Sequence, residues 1–102
     1  MTGRQLSVIR YQTTRESADT NQRLIEEVFA QLHDERPPEL RYTALRLADG
    51  VSFLHLVEST VAPSPLTTLS AFAEFQREVG ERVVAPPTRG DATLVGAYRV
   101  LP

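Results

Sequence analysis

Polar and apolar positions alternate with a period of two on both sides of an Asp-Gly pair near the middle of the chain. From Arg41 to Glu58 the sequence reads RYTALRLADGVSFLHLVE. Asp49-Gly50 between two alternating runs predicts a β-hairpin, because a type I′ turn needs positive φ at both central positions and these residues tolerate it. The register that follows sets Ala48 against Val51, Arg46 against Phe53, Ala44 against His55 and Tyr42 against Val57. Side chains alternate across a strand, so the hairpin has two chemically distinct faces. Leu45, Leu47, Leu54 and Leu56 share one with Thr43 and Ser52, and this aliphatic face is expected under a helix layer. Tyr42, Ala44, Arg46, Phe53, His55 and Val57 share the other, which is expected to wall a cavity or an interface.

Outside the hairpin the periods change. Arg4 to Gln12 (RQLSVIRYQ) has the β-branched and aromatic content of a strand. Leu6, Val8 and Arg10 fall on one side of it and Ser7, Ile9 and Tyr11 on the other; a strand apolar on both sides is expected at the centre of its sheet. From Ser17 the period becomes helical, with Asp19 and Gln22 as a capping pair and Leu24, Ile25, Val28, Phe29 and Leu32 forming the stripe. Asn21 lies inside that stripe, where its amide is expected to satisfy backbone groups near the helix start. Arg36-Pro37-Pro38 ends the helix, since a residue before proline is pushed out of the α region. Ser64-Pro65 opens a second helix, whose stripe is Leu66, Leu69, Phe72, Ala73, Val79 and Val83 with Phe75 at its edge. Ala85 to Ala92 is expected as a loop, and Thr93 to Val100 as the last strand, with Gly96 marking a bulge or bend.

This order is β-α-β-β-α-β, the ferredoxin-like plan, in one domain spanning 1–102. It predicts an α+β fold: a four-stranded antiparallel sheet with two helices on one face. A chain of 102 residues can bury one core without staples.

Composition narrows the function classes. With no cysteine and two histidines, disulfides and thiolate metal sites are excluded, an all-histidine zinc site within one chain is out of reach, and no metal site is expected. No apolar run approaches the ~20 residues of a membrane span, so no membrane partner is expected and a cytoplasmic protein is the default. Net charge is −2, and the arginines are scattered among acids, so nucleic acid is not an expected partner. No phosphate loop, nucleophile elbow or paired acids occur, and no cofactor is called for.

The element order, the LRYTALRLADG hairpin entry and the helix-opening loop before Leu66 resemble the dimeric α+β barrel superfamily, which includes antibiotic-biosynthesis monooxygenase-like domains. The resemblance spans the Arg4 strand to the Val100 strand. It implies a homodimer in which the helix-free sheet faces enclose a barrel, with Tyr42, Arg46, Phe53 and His55 turned into it. Superfamily activities include cofactor-free oxygenation of quinol-like aromatics, haem degradation, and isomerisation or dehydration of small rings. The oxygenases and haem degraders often use a tryptophan, and this chain has none.

His55 is the candidate catalytic residue, as general base, haem ligand or donor to a bound carbonyl; a histidine satisfied at a dimer interface is the structural alternative. Tyr42, Arg46 and Phe53 are candidate substrate contacts. Tyr98 and Arg99 point oppositely, so only one can join them, and Arg99 is taken as the inward one. His33, near the end of the first helix, reads as structural. The functional expectation is a small-molecule enzyme or binder, monooxygenase-like and acting on an aromatic or polyketide-like compound. The alternative is a non-enzymatic homodimeric module, structural or regulatory, whose barrel is filled by side chains.

Overall fold

The chain runs β1 (Gln5–Gln12), α1 (Ala18–Glu35), β2 (Leu40–Arg46), β3 (Ser52–Ser59), a 3-10 turn (Pro65–Thr68), α2 (Ser70–Arg77), α3 (Val79–Arg82) and β4 (Thr88–Thr93). This computed structural model describes residues 5–98. The strands form one antiparallel sheet in the order β2-β3-β1-β4, with the helices on one face. This is the ferredoxin-like α+β plan, with β1 inside the sheet as its two apolar sides predict.

The hairpin pairs as its alternation predicts: Tyr42 with Val57, Ala44 with His55, and Arg46 with Phe53. The turn differs from type I′. Gly50 alone has positive φ, at 80°, and its N–H donates to Leu47 O at 3.0 Å while the Leu47 N–H donates to Ser52 O at 2.8 Å. Ala48 to Val51 therefore make a four-residue loop, and Ala48 does not pair with Val51. The Asp49 carboxylate accepts the backbone N–H groups of Val51 and Ser52, at 2.9 and 2.8 Å, and the Ser52 hydroxyl. Side-chain acceptance of this kind closes a turn with only one left-handed residue.

The helices cover the opposite face from the one expected. Tyr11, Ile25, Val28, Phe53, Leu66, Leu69 and Phe75 make the buried core, with Tyr42, Ala44 and Val57 packed against it. Tyr42, Arg46, Phe53 and His55 consequently lie on the helix side of the sheet rather than in a helix-free barrel face. Leu45, Leu54 and Leu56, joined by Leu6 and Val8 of β1, lie half-buried on the uncovered side. One physical reason is Asn21. Its side chain is fully buried in α1, and a buried amide must be paired. The covered face offers it the Tyr11 hydroxyl at 2.9 Å, whereas on the leucine face the Ser52 hydroxyl is already taken by Asp49.

Three further expectations are corrected. Asp19 does not cap α1: Ser17 occupies the N-cap position without a side-chain bond, and Asp19 bonds Arg46 instead. The C-terminal end does break at Arg36, in the left-handed region with φ 51°. The second helix is three short pieces, because Leu69 is extended and Glu78 leaves helical geometry. That break turns Arg82 into the core. Finally, β4 is Thr88–Thr93, all but its last residue inside the predicted loop, and Leu94 to Ala97 have no regular structure. The chain is already held against β1 where Val83 bridges Thr13 and Val84 N–H donates to Gln12 O. Pairing then continues from Thr88 opposite Arg10 to Thr93 opposite Gln5. Tertiary attachment, not the strand propensity of TLVGAY, sets this register.

Candidate functional site

Three buried polar side chains, Asn21, His55 and Arg82, form with Tyr11 and Tyr42 one continuous line across the interface between sheet and helices. Its histidine, His55, is 4% exposed on β3 and joins two tyrosines. Nε2 lies 2.8 Å from the Tyr11 hydroxyl on β1, and Nδ1 lies 2.6 Å from the Tyr42 hydroxyl on β2. Alternation along the paired strands puts all three rings on one face. Asn21 of α1 donates from Nδ2 to the Tyr11 oxygen at 2.9 Å. Arg82 of α3 donates from Nε to Asn21 Oδ1 at 2.9 Å and from Nη2 to Phe75 O at 2.7 Å. Its guanidinium also lies over the Phe75 ring, 5.2 Å from the centroid, a favourable cation–π placement.

Aromatic packing fixes the line. Tyr42 stacks on Phe29 at 4.7 Å, His55 contacts Tyr11 and Phe75 at 5.3 and 5.8 Å, and Tyr11 stacks on Phe53 at 5.6 Å. Low polarity has electrostatic consequences. Burial pushes the His55 imidazole down to about 4, so it is neutral at physiological pH. Burial pushes the Tyr11 phenol up to about 12 against the opposing influence of Asn21 and Arg82, raises Tyr42 further, and depresses the Arg82 guanidinium.

Beside this line an open groove of about 690 Å³ runs between α1 and the sheet-edge strand β2. Ile25, Phe29, Ala44, Tyr42, Phe53 and Arg46 contribute to its walls. Tyr42 also lines two further grooves, of about 390 and 530 Å³. His55 lines none of the three; it touches them through Tyr42. Arg46 is occupied: Nε donates to Gly50 O at 2.9 Å, Nη1 reaches Gln22 Oε1 at 2.7 Å and Asp19 Oδ1 at 3.1 Å, and the group lies 5.7 Å from the Phe53 centroid. It ties the hairpin end to the first turns of α1 and closes one end of the groove.

The structure therefore brings Tyr42, Arg46 and Phe53 together in one groove wall with His55 behind them. Arg99 lies outside the described residues. Tyr98, at the end of the description, is 85% exposed. His33 is exposed at the last turn of α1 and borders the groove. Sequence reasoning missed Asn21 and Arg82 as members of the line. A polar residue inside an apolar stripe was the available signal for Asn21; Arg82 carried none, because its inward turn depends on the break at Glu78. Among the described residues, no cluster of three or more His, Cys, Asp or Glu could hold a metal ion, and no helix is long and apolar enough to cross a membrane.

Comparison with solved structures places this arrangement in a known architecture. A candidate antibiotic biosynthesis monooxygenase from Nitrosomonas europaea superposes with a TM-score of 0.73 at 11% identity, covering 93% of this chain and 94% of that one. A second candidate of the same description, from Caulobacter crescentus, gives 0.69 at 17% identity, covering 93% and 92%. A designed protein with the ferredoxin fold gives 0.51 at 21% identity, covering 100% and 95%. The chain has the ferredoxin-like fold of the antibiotic biosynthesis monooxygenase-like structures. No family model matches the sequence, and no curated protein matches it significantly.

Proposed function

We propose that this protein is a small-molecule enzyme or binder, cofactor-independent and monooxygenase-like, that holds an aromatic or polyketide-like compound in the groove between α1 and β2. The observation that carries the reading is the Tyr42 side chain, which joins the groove wall to the buried His55. A groove of about 690 Å³ falls in the usual range for small-ligand sites, which are mostly apolar with a few placed polar groups. Phe29 and Phe53 supply flat apolar contact, Tyr42 meets a ligand oxygen, and His55 is the acid/base partner behind Tyr42. Arg46 and Arg99 belong to this reading as candidate substrate contacts, Arg46 at the groove's closed end. The neighbours described as antibiotic biosynthesis monooxygenases share this architecture, which supports oxygenation of a quinol-like aromatic as the reaction class.

The same reading makes the protein a homodimer. The uncovered face of the sheet presents Leu6, Val8, Leu45, Leu54 and Leu56, a contiguous aliphatic patch that a second copy would cover by two-fold face-to-face packing. A second functional reading, a non-enzymatic homodimeric module, is favoured by one observation: both His55 nitrogens are already bonded within the chain.

Titration of the nitrogen-15-labelled protein with 2-naphthol separates the readings. Ligand binding predicts saturable shifts confined to Ile25, Phe29, Tyr42, Ala44 and Phe53. Absence of saturable binding up to the solubility limit would remove the first reading and leave the second.

A further inference from the structure

The line of buried polar groups has a direction, and one residue at its far end sets it. Arginine has only donors, so the Asn21 oxygen must face Arg82 Nε, 2.9 Å away. The Asn21 amide is thereby fixed, and its Nδ2 donates to the Tyr11 oxygen. Tyr11 is 6% exposed, and its own hydrogen needs an acceptor. Among the described residues that acceptor is His55 Nε2, at 2.8 Å. A neutral imidazole bare at Nε2 carries its hydrogen on Nδ1, and Nδ1–H then donates to the Tyr42 oxygen. The Tyr42 hydroxyl hydrogen is left without a protein acceptor among the described residues, on a side chain that borders three grooves. The opposite direction would strand the Tyr11 hydrogen in the core, at the cost of an unmade buried hydrogen bond.

We propose that Arg82, acting through Asn21, Tyr11 and His55, is a positioning residue that turns the Tyr42 hydroxyl hydrogen toward the groove, so that the site favours ligands bearing an acceptor oxygen, a carbonyl or a phenolate. The ligand clause rests on the reading of the groove as a binding site; the direction of the line does not. Arg82 suits this role because it is buried and no carboxylate of the described residues lies within ion-pair distance of it. Its donors go to Asn21 and Phe75 O and its face to the Phe75 ring, while Glu78 acts on its charge from beyond ion-pair distance. Successive donors in one sense polarise one another, which strengthens the last member as a donor.

The test reads the His55 tautomer in the ligand-free protein by nitrogen-15 NMR at neutral pH, where a bare ring nitrogen and a protonated one resonate far apart. The expected result is one tautomer, with hydrogen on Nδ1 and Nε2 bare. Hydrogen on Nε2 overturns the proposal, whatever the protein binds. Asn21→Asp keeps the shape but offers two acceptors, so Tyr11 O–H turns toward the aspartate, His55 Nε2–H donates to Tyr11, and Nδ1 accepts from Tyr42. Complete reversal of the tautomer is expected in this variant; a folded Asn21→Asp protein with the parental tautomer overturns the proposal. Arg82→Met frees the Asn21 amide to rotate and should mix the tautomers, while Arg82→Lys, which still donates to Asn21 Oδ1, should restore the single form. A merely structural Arg82 would leave the tautomer alone in Arg82→Met. If the variants do not fold, the parental tautomer alone decides.

Discussion

Replacing Tyr11 by phenylalanine removes one oxygen atom from the middle of the buried line, and its cost can be worked out atom by atom. Asn21 Nδ2, fully buried, loses its acceptor, and His55 Nε2, 4% exposed, loses its donor. No water reaches either readily, so each orphaned group costs about 1–3 kcal/mol, for a total of roughly 2–4 kcal/mol once local relaxation is allowed. For a domain of this size that corresponds to a melting-point drop on the order of 10–25 °C. Tyr42→Phe is the matched comparison. It also deletes one hydroxyl bonded to His55, but at the wall of open grooves where water can take over the bond, so the expected cost is under about 1 kcal/mol. Urea unfolding followed by circular dichroism at fixed protein concentration reads both, as a shift in midpoint at unchanged slope. Asn21→Ala combined with Tyr11→Phe should cost less than the two single changes added, because both break the same bond. Equal small losses for Tyr11→Phe and Tyr42→Phe, or full additivity of the pair, would refute the picture of a sealed, coupled line.

The His55 imidazole is held at about 4, against an ordinary 6.5. The unfolded chain thus binds the extra proton first, and the stability present above pH 6.5 is lost as pH falls toward 4, by about 3 kcal/mol. His55→Gln should flatten that pH dependence; an unchanged slope would contradict the assignment. Gly50→Val should cost roughly 1–3 kcal/mol from backbone strain alone, since φ is +80° and nothing lies within 4 Å of an added Cβ. Gly90→Val, equally roomy and without positive φ, should cost far less; equal melting of the two variants would count against the turn. Leu54→Arg should give a particle of 11.4 kDa by sedimentation at micromolar concentration, where the parent gives twice that mass. A monomeric parent would remove the leucine-face dimer.

The legible part of the fold was its element order and the pairing of Tyr42, Ala44 and Arg46 with Val57, His55 and Phe53. The pairing follows from local alternation around Asp49-Gly50, and the order from the changes of period along the chain. The side of the sheet covered by helices was not legible from hydrophobicity, because Leu45, Leu54 and Leu56 are as apolar as Phe53 and Val57. Asn21 in the stripe of α1 bears on it, because its buried amide pairs with the Tyr11 hydroxyl of the covered face. Residues Tyr42, Phe53 and His55 were grouped correctly by alternation, yet they were assigned to the wrong compartment. Arg82 and β4 were illegible for a different reason. Each depends on a break or attachment elsewhere, at Glu78 and at Val83, that leaves no mark in the period of its own segment.

The central claim is that Tyr42 offers its hydroxyl hydrogen to an oxygen in the groove. It is tested most directly by comparing 1-tetralone with tetralin, which differ only in the ketone oxygen, in titrations followed at the Phe29, Tyr42 and Phe53 resonances. A neutral hydrogen bond contributes about 0.5–1.5 kcal/mol, so tetralone should bind roughly twofold to tenfold more tightly. Tyr42→Phe should bring the two affinities together. Equal affinities in the parent, or a preference for the ketone that survives Tyr42→Phe, would contradict the account.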